Sequence, residues 1–178
     1  FCLSDYMYSE ASAIFSHLAD KYHKLSGGVD VERFAPVADR AAARRGLGLD
    51  VEGRLLLTIR RLDARMGLEN LVQAMAIVGA VCPDVVLIIG GKGQLHGRLR
   101  ALIDGLNLKN VHLLGYIDSE TLPIYYQASD LFVMPTEAME GYGLSTLEAL
   151  ACGLPVLGTD AGATPEVLSD LLPGFIAI

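Results

Sequence analysis

Several kinds of feature are scarce or missing in these 178 residues, and each absence removes a class of function. There are only three cysteines, Cys2, Cys82 and Cys152, an odd number without metal-type spacing. That excludes a disulfide framework, so they read as reduced, buried thiols of a cytosolic protein, two of them at helix ends. No basic run occurs and the net charge is −7, which excludes nucleic acid as an expected partner. No apolar stretch approaches the ~20 residues needed to span a bilayer; the longest, Val85-Val-Leu-Ile-Ile-Gly90, reads as a buried strand. His17, His23, His96 and His112 are scattered, so no zinc site or other metal is expected. Neither a signal peptide nor an internal repeat is evident. The chain opens at Phe1 and closes on a strand-like Phe175-Ile-Ala-Ile178; the expectation is a piece of a longer protein.

What is present is alternation. Leu55-Leu-Leu-Thr-Ile59 is a continuous apolar run, as a strand buried on both faces requires. Residues 67–81 follow with Leu68, Leu71, Val72, Met75 and Val78 at helical spacing. Further strands are expected at 85–89, 111–114, 131–134, 154–158 and 175–178. Helices are expected at 94–106, 119–128 (with Ser119 as N-cap), 143–152 and 164–171. Before them, residues 6–24 read as one helix with Tyr6, Ile14, Leu18 and Tyr22 as face residues, 25–36 as a turn-rich connector, and 36–50 as a short helix ending near Gly46 or Gly48. A βα unit repeated five times with a closing strand predicts an α/β fold: a Rossmann-like, doubly wound parallel sheet of about six strands with helices on both faces. Ligands of such sheets bind outside the carboxyl ends of the strands. The loops that matter are then 60–67, 90–94, 115–119, 135–143 and 159–164.

Those loops carry the chemistry. Arg60-Arg61-Leu62-Asp63-Ala64-Arg65-Met66-Gly67 sets three arginines at the mouth of the sheet, where guanidinium forks match phosphate oxygens. Gly90-Gly91-Lys92-Gly93-Gln94-Leu95-His96-Gly97 is one residue too long for a dinucleotide fingerprint and lacks the Lys-Ser/Thr of a Walker loop. Its glycines read as a turn into a helix, with Gly91 and Gly93 placed to line a pocket. Glu140-Gly-Tyr-Gly-Leu-Ser-Thr-Leu-Glu148 joins a glycine turn to a helix N-terminus, a ready anion site, and flanks it with two carboxylates. Two chemistries fit Glu140 and Glu148: a general acid/base pair, or acceptors for hydroxyl groups. Glu148 lies in a mostly apolar helix, where an acid needs a hydrogen-bonding partner. Phosphate plus polyol describes a sugar nucleotide. In Asp160-Ala-Gly-Ala-Thr-Pro-Glu166, Thr164 or Asp160 is placed to cap the next helix, and Glu166 either faces the site or complements the helix dipole.

Together these residues resemble a known family. Gly28-Val-Asp30, Phe34-Ala-Pro36, Arg61-Leu62, Gly67, the E-G-Y-G-L-x-x-L-E segment from Glu140 to Glu148, and Gly162 with Pro165-Glu166 are similar to the C-terminal half of family 4 glycosyltransferases of the GT-B fold. The resemblance implies a domain, 36–178, that binds a nucleotide-diphosphate sugar, UDP- or GDP-linked, with 1–35 as the tail of an N-terminal domain and the connector. It implies retaining transfer without a metal or other cofactor. The acceptor, a carbohydrate or lipid-linked molecule, would be held by the missing domain. Arg61 would neutralise the diphosphate and Glu140 contact the donor sugar. Gly141, Tyr142, Gly143 and Leu144 would hold sugar hydroxyls or phosphate, and Glu148 the ribose hydroxyls. Three positions depart from the pattern: Met66 stands for a phosphate-binding lysine, Arg60 for a glycine and Ala163 for a second glycine. Arg65 or Arg60 is expected to replace the lysine's charge. The resemblance also implies a cytoplasmic location, with any contact to the inner face of a membrane made by the missing half. The piece alone is expected to bind donor weakly and transfer nothing.

Other functions compete. A non-catalytic nucleotide-sugar-binding module and a GT-B-like sugar-nucleotide epimerase share these features. A phosphorylase would need a pyridoxal-phosphate lysine, which none of Lys21, Lys24, Lys92 and Lys109 has a motif to be. A nicotinamide oxidoreductase is opposed by the defective glycine spacing and by the absence of an acid at the end of the second strand.

Overall fold

The computed structural model describes residues 1–49, 52–169 and 173–177. Six parallel strands form one sheet: β1 (Arg54–Ile59), β2 (Val85–Gly90), β3 (Val111–Gly115), β4 (Leu131–Met134), β5 (Val156–Thr159) and β6 (Ile176–Ala177). Their order is β3-β2-β1-β4-β5-β6. The chain winds outward from β1 to β3, returns to lay β4 beside β1 (Leu56 opposite Leu131), and winds outward the other way. The reversal between β1 and β4 is the switch point at which the loops fork apart.

The apolar runs form strands because both faces are covered. On one face α3 (Leu68–Val81) and α4 (His96–Gly105) bury Leu68, Val72, Met75, Leu99 and Ile103 against Leu87, Ile89 and Val111. On the other, α5 (Leu122–Ala128), α6 (Leu144–Ala151) and α7 (Thr164–Leu168) pack Tyr126, Ala149 and Leu168 on Leu55, Leu57, Ile88, Phe132 and Val156. Two short helices precede the sheet, α1 (Asp5–Ile14) and α2 (Arg40–Gly46). Asp130 anchors α2 by accepting from Arg40, Arg44 and the Leu55 N–H.

Expected boundaries fall within a few residues of those observed, with four differences. The helix expected over 6–24 breaks at Phe15 (φ −126°, ψ 58°); α1 stops at Ile14, a 3₁₀ turn runs from Ser16 to Lys21, and Tyr22 is extended. The face expected there does not form, since α1 buries none of its residues and Ile14 is exposed. Ser119 is not an N-cap: Asp118 takes the N–H groups of Glu120 and Thr121, and α5 starts later, at Leu122. Neither Thr164 nor Asp160 caps α7, whose N-cap is Ala163 and whose Thr164 hydroxyl is buried without a partner. The end of the helix expected over 164–171, and Ile178 of the last strand, lie outside the described residues. No described helix is long and apolar enough to cross a membrane.

Candidate functional site

The loops at the carboxyl edge of the sheet are stitched together through their backbones. Arg60 N–H donates to the Gly90 carbonyl (3.0 Å), Leu62 to Lys92 (2.9 Å), Glu137 to Arg65 (2.9 Å) and Ala163 to Glu140 (2.9 Å). Two glycines make this approach possible. A Cβ on Gly91 (φ 138°) would stand 1.7 Å from the Arg60 carbonyl oxygen, and one on Gly162 (φ 57°) 2.4 Å from that of Glu140. Both also hold backbone angles that other residues rarely adopt. Gly93 packs on Leu62 in the same close manner. What Gly91 and Gly93 do in this structure is let the second loop touch the first.

The three arginines of the first loop separate by surroundings. Arg61 is exposed, has no acceptor among the described residues, and lines a cleft of about 260 Å³ with Lys92 and Gly93. Lys92 lies 4.3 Å from the Tyr116 ring centroid and also lacks a carboxylate partner among the described residues. Arg65 spends its guanidinium on the Met139 carbonyl (2.8 Å), holding a residue with φ 59°. That left-handed angle costs a non-glycine residue about 1 kcal/mol or more, so Arg65 clamps a strained corner. Arg60 points inward: its side chain is 6% exposed and its Nη2 donates to Glu140 Oε2 at 2.5 Å.

The two glutamates differ in the same way. Glu140 is buried, and its Oε2 also accepts from the Thr136 hydroxyl at 3.1 Å. Glu148, on α6, is half-buried and accepts from the hydroxyl of the fully buried Tyr126 at 2.7 Å. Burial pushes the Glu148 carboxyl above the ordinary glutamate range, against the opposing pull of the Tyr126 hydrogen bond and the Arg33 charge. Burial first, and the Glu148 charge second, lift the Tyr126 hydroxyl far above the ordinary phenol range. The same two causes push the Cys152 thiol up to about 11.

Between the glutamates, Gly143 holds φ 78° and caps α6 without a side chain. The N–H groups of Leu144 and Ser145 have no acceptor among the described residues, and Leu144 itself is half exposed. The Gly141 carbonyl accepts from Ser4 (2.7 Å). Tyr142 lines a cavity of about 320 Å³ with Ser4, Lys24 and Glu166. Glu166 sits in the first turn of α7 beside that cavity, and its carboxylate accepts from the N–H groups of Asp5 and Tyr6 at the start of α1. A larger, mainly apolar cavity of about 490 Å³ lies between α3 and the β4–β5 half of the sheet; Met134 and Thr136, which touch Arg60 and Glu140, are on its wall.

The structure thus brings Arg60 to Glu140 and Arg61 to Gly93, and leaves Arg65 on the loop backbone. Sequence reading missed Lys92, Thr136 and Tyr126 as members of the site. Only Lys92 carried a signal, as a cation inside the second glycine loop. Among the described residues no three His, Cys, Asp or Glu side chains gather as metal ligands would.

Residues 39–178 match the family model described as glycosyl transferases group 1. The chain is 35% identical over 166 residues, 89% of its length, to a GDP-mannose-dependent monoacylated alpha-(1-6)-phosphatidylinositol monomannoside mannosyltransferase of Corynebacterium glutamicum, of which it covers 43%. It spans less than half the length of the curated relatives it matches. Its fold is similar to the C-terminal domain of a glycosyl transferase group 1 family protein, LpcC, from Francisella tularensis, with a TM-score of 0.72 and 26% identity over 84% of this chain and 80% of that one. Against Anabaena Alr3699/HepE, crystallised with UDP and glucose, the TM-score is 0.82 at 24% identity, over 99% of this chain and 48% of that one.

Proposed function

The chain belongs to the glycosyl transferases group 1 family and has the fold of the C-terminal half of a GT-B glycosyltransferase, and from that footing we propose that residues 36–178 bind the nucleotide-diphosphate sugar for a retaining, metal-independent hexosyl transfer. Residues 1–35 are then the tail of the acceptor domain and its connector, and the acceptor is a carbohydrate or a lipid-linked molecule. The observation that carries this reading is a pair of cations, Arg61 and Lys92, that share one cleft at the carboxyl edge and have no carboxylate partner among the described residues. A diphosphate seated there replaces the water around both charges, and Arg61 supplies two parallel N–H donors. As the bond to the sugar breaks, negative charge grows on the leaving phosphate, and fixed cations favour that state over the ground state. The N–H groups of Leu144 and Ser145 add donors at the start of α6. Glu148, oriented by Tyr126, accepts from the ribose hydroxyls, and Glu140 from the sugar. Of the two carriers expected, UDP and GDP, the GDP-mannose dependence of the Corynebacterium relative supports GDP.

The test is thermal unfolding of the chain in its full natural length with UDP, GDP, ADP and their glucose and mannose conjugates, with and without magnesium. Ligand at ten times its dissociation constant adds about 1.4 kcal/mol, a shift of roughly 3–6 °C for a domain of this size. The expected result is a shift for one nucleotide series, unchanged by magnesium and abolished by Arg61→Ala or Lys92→Ala. No shift with any of them refutes the reading.

A further inference from the structure

The most unusual group in the molecule is the buried pair of Arg60 and Glu140. Their side chains are only 6% and 10% exposed, and 2.5 Å separates Nη2 from Oε2. Guanidinium carries five N–H donors, yet its other neighbours are weak acceptors: the Met66 sulfur at 2.9 Å from Nη2, and the Met134 sulfur against Nη1. Glu140 likewise uses one oxygen twice, since Oε2 takes both Arg60 and Thr136. This leaves Arg60 Nε and Glu140 Oε1 without a partner among the described residues. Neither is one of the fully buried polar atoms that lack one. Each therefore keeps a small contact with solvent and an unused hydrogen-bonding position.

We infer that Arg60 and Glu140 form one hydroxyl-reading unit for the donor sugar, with Oε1 accepting from a sugar hydroxyl and Nε donating to the same hydroxyl or its neighbour. A donor and an acceptor on one rigid, charge-balanced pair suit a hydroxyl, which both donates and accepts. They do not suit a phosphate, which only accepts and would meet the Glu140 charge. The phosphate cations are the unpaired Arg61 and Lys92, in the cleft that Arg60 does not line. Arg60 is thereby a determinant of which sugar is bound, rather than a substitute for a phosphate lysine at Met66. Just beyond β1, Arg61 is exposed to solvent, while the Arg60 side chain runs inward to Glu140.

This inference rests on the donor-domain reading, and the experiment separates the two. Binding of UDP, UDP-glucose, GDP and GDP-mannose is measured by calorimetry on the chain in its full natural length, for wild type, Arg60→Met, Arg60→Lys, Glu140→Gln and the Arg60→Met/Glu140→Gln double variant. Wild type that binds none of the four ends the donor-domain reading, and this inference with it. With wild-type binding in hand, the expected result is that Arg60→Met and Glu140→Gln each lower affinity for the sugar conjugate about tenfold or more. The free diphosphate keeps its affinity, and the double variant loses no more than the worse single one. Arg60→Met that weakens the free diphosphate equally, or that changes neither ligand, overturns the inference. Should Arg60→Met fail to fold, the double variant, which buries no lone charge, and Arg60→Lys decide by the same comparison.

Discussion

Removing one oxygen atom from the core tests the account of Glu148 directly. Tyr126 is fully buried, its ring 5.9 Å from that of Phe34 and 5.5 Å from that of Phe132 by centroids, and its hydroxyl donates to Glu148 at 2.7 Å. Tyr126→Phe leaves that ring packing intact and deletes the hydrogen bond alone. A hydrogen bond to an ionised group contributes about 1.5–3 kcal/mol, and a neutral one about 0.5–1.5 kcal/mol. Glu148 is half-buried, so water recovers part of the loss, and the lower end of the charged range, about 1.5 kcal/mol, is expected at neutral pH. For a chain of this size that is a fall of roughly 3–6 °C in melting temperature. Its pH dependence has a definite sign. Burial holds the Glu148 carboxyl above the ordinary range, so ionising it opposes folding as pH rises from the unfolded value through the folded one. The Tyr126 bond offsets part of that cost only where Glu148 is charged. The penalty of Tyr126→Phe is therefore full at about pH 8 and shrinks toward the neutral-bond value as the solution is acidified to about pH 4. In a Glu148→Gln background it stays at the neutral-bond value throughout. Melting curves of the four proteins across pH measure this. A penalty that is the same at both ends, or that survives undiminished in Glu148→Gln, refutes the role given to the bond.

Three further outcomes follow from geometry already described. Gly162→Ala drives a Cβ against the Glu140 backbone at a left-handed φ and should cost roughly 1–3 kcal/mol in chemical denaturation, with a larger loss of sugar-conjugate than of diphosphate binding. Glu166→Ala removes the acceptor at the start of α1 and should cost about 1 kcal/mol, seen as faster hydrogen exchange in residues 5–14 with the β1 and β4 amides unchanged. Cys152, with its thiol pushed up to about 11, should resist alkylation at mildly alkaline pH in the folded chain and react only on unfolding; rapid native labelling would contradict its placement.

The sheet was legible because its signal is local. Leu55-Leu-Leu and Val85-Val-Leu-Ile-Ile are apolar on both faces, and Leu68, Val72 and Met75 recur at helical spacing, so each element announces itself within its own window. The N-terminal helix was misjudged in length because no apolar face of it enters the core: Ile14 and Phe15 are exposed, and apolar spacing predicts a helix only when a core receives the apolar face. The arginines and glutamates of the site could be placed on the correct sheet edge from topology alone. Their pairing could not, because Arg60 and Glu140 are 80 residues apart and Tyr126 and Glu148 are 22 apart on different helices. Which cation meets which carboxylate depends on how the loops lean once glycines let them touch, and side-chain reach across that gap leaves no periodic trace.

The grip of Glu166 on Asp5 and Tyr6, together with that of Ser4 on the Gly141 carbonyl, has a mechanical meaning. Ser4 is nearly inaccessible, and a Cβ on Gly141 would meet the Met7 sulfur at 3.2 Å. The first helix and the turn beside Glu140 therefore travel as one body. A tug on the first residues of the chain is delivered to the peptide group next to Glu140 without crossing the sheet. The N-terminal segment is a lever and the glycine turn its load, joined through Ser4 and steadied on the α7 side by Glu166.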